Sequence, residues 1–363
     1  MPDALSAPRT TAVRTTKPKG GNDFTALSQA VTSSGLMRRR YGYYWTKLLA
    51  VPVVIAAMVL VFIWIGESWW QLATAVVFAV MFTQIAMLGH DAAHRQIFRS
   101  GRWNDWTSLV IANLIVGMSY GWWQHKHTKH HANPNKIGAD PDIELPVVSF
   151  TPDQAARRRH GPLGWLMAHQ GVFFFPILLF EGLSLHASGV RRVFSREPLR
   201  RRPVEIAFLV VRTASYLTLV FLVLSPGLAF AFLGVQLGLF GVYMGMAFAP
   251  NHKGMPIVPA DVKIDFLRRQ VLMSRDIRGS RLLDTAMGGL NYQIEHHLFP
   301  SMPRPHLRKA SGLIADYCRE RGVAYSQTGL WESYGIMVRH INRVGLGERD
   351  PFECPLLQQR QAV

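Results

Sequence analysis

Histidines are the residues of this chain whose types and spacing could do chemistry. His90 and His94 stand four apart in HDAAH. His127, His130 and His131 form HTKHH, with offsets of three and four. Gln293, His296 and His297 form QIEHH, with the same offsets. Residues three and four apart share one face of a helix, so each group aims its side chains at a common point. His252 follows in Ala-Pro-Asn-His-Lys-Gly. Three boxes hold seven histidines and His252 makes eight. A structural zinc site closes with four ligands. Eight are too many for one tetrahedral ion and suit two ions with open positions. Imidazole suits iron, zinc and copper, and imidazole-rich ligation with room for O2 favours iron. Ligating histidines usually give their second N–H to a carboxylate or carbonyl. Asp91, Asp140, Asp142, Asn291 and Glu295, interleaved with the boxes, are the candidates for that supporting role. A single His pair at helical spacing arises readily by chance; three such groups together carry the argument.

These side chains need elements to position them. Hydrophobic residues make up 49% of the 363, and they are gathered in blocks. Four blocks, at about residues 45–65, 69–89, 204–224 and 227–249, reach the roughly 20 residues that a bilayer span needs. Very short turns at 66–68 and 225–226 join them in pairs, so the expectation is an all-α membrane protein built of two helical hairpins. The turns lack Lys and Arg, whereas Arg38, Arg39 and Arg40 precede the first span. Arg191, Arg192, Arg196, Arg200, Arg201 and Arg202 precede the third. The positive-inside rule then places both termini and the central region in the cytosol, and every histidine box falls at a cytosolic helix end. Two shorter apolar stretches, 108–117 and 171–180, read as interfacial or re-entrant helices. A crossing by either one would put the boxes on opposite faces.

The remaining composition narrows the class. The formal charge is +17; with no nucleic-acid motif, it fits an anionic membrane face or a phosphorylated ligand. Cys318 and Cys354 are too far apart for a disulfide framework. Residues 1–36, rich in Thr, Ser, Pro and basic side chains and without an apolar signal core, read as a disordered tail. The main domain is expected over 37–345, with a C-terminal tail over 346–363.

GHDAAHRQIF at 89–98, WWQHKHTKHHANPN at 122–135, DPDI at 140–143, FAPNHKG at 248–254 and NYQIEHHLFPSMPRPHL at 291–307 together resemble the membrane fatty-acid desaturases. The branch they are most similar to is the front-end, or linoleoyl-CoA, type, in which Gln replaces the first His of the third box. The resemblance covers about residues 38–345. It implies four spans, a cytosolic histidine-rich di-iron cap and a narrow acyl tunnel. It implies that His90, His94, His127, His130, His131, His252, His296 and His297 ligate two irons, with Gln293 a ligand or acting through water. It leaves His125, His160, His169, His186 and His306 outside the ligand set. Trp122, Trp123, Tyr292 and the Gly288–Gly289 pair are candidate tunnel or cap residues, and interface anchoring explains the aromatics equally well.

The chemistry implied is oxidation of an unactivated C–H bond, beyond any side-chain acid or base. Two vicinal hydrogens leave, and O2 with two supplied electrons ends as water. No HPGG haem signature, nicotinamide fingerprint or cysteine cluster occurs. Electrons are therefore expected from a separate carrier, a ferredoxin or small cytochrome with an NAD(P)H-dependent reductase. The acyl substrate is carried on CoA or on a membrane lipid. Two alternatives stand beside this reading. A related di-iron hydroxylase, ketolase or sphingolipid desaturase would use the same boxes. A metal-binding or metal-transporting membrane protein would place its site between helices within the bilayer.

Overall fold

The computed structural model describes residues 22–145, 147–158 and 164–347. The chain folds mostly as helices: α1 Asp23–Ser33, α2 Tyr41–Ile65, α3 Gln71–Ala93, α4 Gly101–Leu109, a π-helical stretch Val110–Val116, α5 Tyr120–Ala132, α6 Pro152–Arg158, α7 Gly164–Ala168, α8 Gln170–Leu178, α9 Glu181–Phe194, α10 Arg202–Val223, α11 Pro226–His252, α12 Phe266–Leu272, α13 Arg281–Ala286, α14 Gln293–Leu298, α15 Arg304–Glu320 and α16 Leu330–Leu346. Two three-residue strands, β1 Asp276–Arg278 and β2 Gln327–Gly329, pair in parallel.

Four helices, α2, α3, α10 and α11, are long and apolar enough to cross a membrane. They pack through rings, with Phe62 5.0 Å from Phe232 and Phe78 5.6 Å from Phe232. Their outer faces stay apolar and uncovered: Trp64 is 85% exposed and Leu222 80% exposed, which suits lipid rather than water. The connections α2–α3 and α10–α11 lie at one end of the bundle, where the Glu67 carboxylate accepts the Ser225 N–H at 2.6 Å. The histidines gather at the other end.

Two shorter apolar segments lie between the spans. The π-helix closes on Gly117, whose φ of +94° is a left-handed conformation natural to glycine. α8 and α9 are bent by 69° at their junction. There Gly182 meets α11 so closely that a Cβ would stand 2.2 Å from the Leu237 carbonyl oxygen. By length and composition this bent pair would pass as a fifth span. Parity argues against a crossing. His130 of α5 and His252 of α11 face each other at 3.2 Å. With α10 and α11 both crossing between them, a third crossing would separate them. The same holds for α4 and the π-helix, because His94 and His127 meet at 2.8 Å.

The expectation of a disordered tail through residue 36 is corrected. Asn22 caps α1, and Leu27 and Val31 are fully buried. They join a core with Leu267, Val271, Leu307, Ile314 and Cys318. Asp23 pairs with Arg268 and Arg321 at 3.2 and 3.1 Å. A two-turn apolar stripe is too brief to stand out against a Thr- and Ser-rich surrounding. Residues 1–21 and 348–363, where the remainder of both expected tails falls, lie outside the described residues.

Candidate metal centre

Four elements bring the histidines together. The C-terminal end of α3 carries His90 and His94, α5 carries the second box, α11 ends on His252, and α14 carries Gln293, His296 and His297. Two groups result, each with its ring nitrogens within 4.8 Å of one another: His90, His94, His127 and His296, and His130, His252 and His297. His131 lies between them. Its Nε2 is 3.0 Å from His127 Nε2, and its ring stacks on His297 at 4.2 Å. All eight predicted histidines therefore stand at one place.

The outer partners decide which way the second group faces. His130 Nδ1 is 3.0 Å from both oxygens of Asp140, His252 Nδ1 is 2.9 Å from the Met273 carbonyl, and His297 Nδ1 is 2.9 Å from Gln270 Oε1. Each of these oxygens can only accept, so each Nδ1 carries the proton. The three Nε2 lone pairs then point inward at one another. His297 Nε2 is buried without a hydrogen-bond partner, as are His90 Nε2 and His296 Nε2. Converging, unprotonated nitrogens in a buried site are mutually unfavourable unless a cation sits among them. Burial and neighbouring imidazoles hold His127, His131, His296 and His297 well below the ordinary histidine value, and burial holds His94 down to about 3. Burial acts the same way on His130, but the Asp140 and Asp142 carboxylates overturn it and raise that imidazole. Neutral imidazole is the form a metal needs. The donor set therefore fits two metal ions.

Gln293 places its amide nitrogen 2.9 Å from His252 Nε2. A half-turn of that amide would present oxygen at the same point, so Gln293 stands beside the second group. Of the supporting residues, Asp140 grips His130. Asp142 reaches it at 3.4 Å and binds Lys126 at 2.7 Å. The other three support the scaffold. Asp91 is 4.0 Å from His90 Nδ1 and turns instead to Arg304 at 2.7 Å. Asn291 donates to Asp284 at 2.9 Å. Glu295 Oε1 lies 2.9 Å from Tyr325 Oη, which is shared with Asp276 Oδ2 at 2.6 Å. The reason is helical phase: residues adjacent to His90 or His296 are about 100° round the helix from it and face other elements.

His125 is exposed on α5. His169 contacts the Trp165 carbonyl, and His186 faces the Gly182 and Val116 carbonyls. His306 on α15 is absent from both groups, and His160 lies outside the described residues. Trp123 stacks on His127 at 4.3 Å and lines a cavity, as does Trp122. Tyr292 is buried in the α1–α15 core rather than in a cavity.

Residues that the histidine spacing does not mark complete the frame. Glu205, at the start of α10, is fully buried. It accepts from Ser119 Oγ at 2.6 Å, Asn113 Nδ2 at 3.1 Å and the Gly121 N–H at 3.1 Å. It thereby holds the N-terminus of α5, where a carboxylate also meets the helix dipole. One signal could have found it: it is the lone acid in the third apolar block. Arg304 donates to Asp91 and to the Met87 carbonyl, and its N–H reaches Tyr44 Oη and Gln96 Oε1. It thus ties the segment after α14 to the end of α3. Gln270 and Met273 carry no such signal.

A cavity of about 170 Å³ opens beside the second group, with His127, His130, His252 and Gln293 in its wall. Lys126, Asp142, Glu181 and Lys253 supply its charged lining, and Phe150, Phe174 and Leu178 its apolar lining. Met118, Trp123, Met244 and Phe248 also line a smaller apolar cavity of about 40 Å³, which reaches His90, Gly89 and Ile111. Two histidine groups thus border a narrow, mostly apolar space, an arrangement suited to an apolar ligand.

The sequence pattern of the fatty acid desaturase family matches residues 67–329, and this chain belongs to that family. An acyl-lipid (9-3)-desaturase of Physcomitrium patens is 30% identical over 322 residues, which cover 85% of this chain and 60% of that protein. A Delta(6)-fatty-acid desaturase of Caenorhabditis elegans is 27% identical over 333 residues, covering 88% and 74%. A Delta 8-(E)-sphingolipid desaturase of Kluyveromyces lactis is 24% identical over 360 residues, covering 94% and 62%. The chain thus spans about 60% of the length of the first and third of these relatives.

Proposed function

We propose that this chain is an O2-dependent di-iron acyl desaturase of the membrane. The observation that carries the proposal is the convergence of two groups of buried imidazoles beside a narrow, mostly apolar cavity. His90, His94, His127 and His296 would hold one iron. His130, His252 and His297 would hold the other, with Gln293 beside it and His131 between the two. The irons, when bound, supply the O2-derived oxidising power that an unactivated C–H bond demands. The chain's own residues do the rest. Asp140, Met273 and Gln270 keep the ring protons on the outer nitrogens. Trp123 and Phe248 fix where an alkyl chain passes the histidines, and so which carbons react. The apolar lining excludes water from the reacting carbons. The arginines at the histidine end of the spans support a cytosolic location for that end and for both termini. The two helix pairs then act as hairpins that anchor a cytosolic cap, and the catalytic domain extends from α1 to α16. The electrons come from a separate carrier served by an NAD(P)H-dependent reductase.

The resemblance to a sphingolipid desaturase supports a second reading, in which the acyl chain belongs to a sphingoid lipid. One experiment tests both. Express the chain in a host whose lipids are then profiled with double-bond location. A new double bond in acyl or sphingoid chains is the expected result, and an added oxygen would instead assign hydroxylation. Iron analysis of gently purified protein should give two ions per chain.

A further inference from the structure

On the proposed function, each double bond draws two electrons from outside, and they must cross the protein to reach the histidines. Of the segments around the second group, α12 and the residue that follows it touch that group at two points. Gln270 Oε1 accepts from His297 Nδ1 and the Met273 carbonyl accepts from His252 Nδ1, both at 2.9 Å. Gln270 also donates to the His131 carbonyl at 3.0 Å. The residue before it, Arg269, faces the other way. Its guanidinium donates to the Ala132 carbonyl at 2.8 Å, and it lines a surface groove of about 290 Å³ with Lys136, Val258, Val262, Lys263 and Ile264. One residue and one hydrogen bond therefore separate this groove from His297.

The groove lining offers three cations and three apolar side chains, and no carboxylate among the described residues. The nearby carboxylates Asp23 and Asp265 are engaged by Arg268 and Arg321 at 3.1–3.2 Å. Asp261, in the same loop, lies outside the lining. We propose that this groove is the docking site of an acidic electron-carrier protein, and that α12, through Gln270, is the route inward to His297. Cations around a small apolar patch steer an acidic partner and let it release quickly, and electron-transfer encounters use small interfaces. The balance is complete. The carrier gives two electrons, the solvent two protons and the alkyl chain two hydrogens. O2 is reduced to two waters, and the chain gains one double bond.

The inference rests on the desaturase reading, so its test separates the two. Iron-loaded, membrane-embedded protein is assayed with an acidic [2Fe–2S] ferredoxin and its NADPH-dependent reductase, and in parallel with reduced methyl viologen. The double variant Lys136→Glu/Lys263→Glu should raise the KM for ferredoxin at least tenfold and flatten its salt dependence. Viologen-driven turnover should stay within twofold, and Lys309→Glu, on α15, should leave the KM unchanged. An unchanged ferredoxin KM in the double variant overturns the docking site. Product with viologen but none with ferredoxin in the wild type overturns the acidic-carrier assignment. No product with either reductant removes the desaturase reading and the docking site with it.

Discussion

The two histidine groups share a site but are held differently. In the group of His130, His252 and His297, each ring is tied outward by one hydrogen bond, to Asp140, Met273 and Gln270. The anchors come from a loop, from α12 and from the residue just past it, and stand 10, 27 and 21 residues from the histidine each one serves. In the group of His90, His94, His127 and His296, the frame is helical register and ring packing. His90 and His94 meet at 4.6 Å on one helix, and Trp123 lies flat against His127. The contrast teaches that one histidine group is set by polar anchors and the other by the fit of helices.

Removing a ligand is the harshest way to test that contrast. His94→Ala and His297→Ala should each abolish product while each retains one of two irons, measured by elemental analysis of purified protein. Loss of both ions from either variant would mean that the groups are not separable. Next in size is Arg304→Ala, which leaves Asp91 buried without its cation. Breaking a buried pair costs about 3–5 kcal/mol. Thermal unfolding in detergent should register it, with Arg304→Lys restoring part. Asp140→Asn is milder. Loss of a partner behind a metal-binding histidine typically costs about 10–100-fold in metal affinity or activity. Metal titration should show that loss at one ion only, since Asp140 serves only the second group. Trp123→Leu should do the reverse, leaving the second ion in place while moving the double bond, as read by the product's bond position.

The smallest effect concerns Cys318, whose thiol burial pushes up to about 12. In a Cys354→Ser background it should resist alkylation at pH 8, because the thiolate is the reactive form. Labelling should begin only as the cap unfolds. Brisk labelling of folded protein would show that the α1–α15 core is open.

The histidines that come together are easier to read from the sequence than the residues that hold them, and the reason is physical. Histidines at three- and four-residue spacing announce themselves because helix geometry is local. The four spans follow from length and hydropathy alone, and their ends at Ile65 and Ala93 fall near the expected ones. Gln270, Met273, Glu205 and Arg304 act across tertiary contacts, and no local period marks them. Asp91 and Glu295 look like natural partners of the histidines beside them, yet adjacency on a helix turns them away. Helix α1 hid because its apolar stripe spans only Leu27 and Val31 among polar neighbours.

That first helix has a consequence for how the protein is made. Residues 23–33 find their partners on α12 and α15, the latter ending at Glu320. His90 likewise finds its partner in His296. A ribosome adds about 5–20 residues per second, so these early segments wait on the order of tens of seconds for the later ones. All four spans are synthesised before either pairing can form. The histidine cluster therefore comes together as one of the last acts of biogenesis. Any metal that the histidines take must then arrive after translation rather than during it.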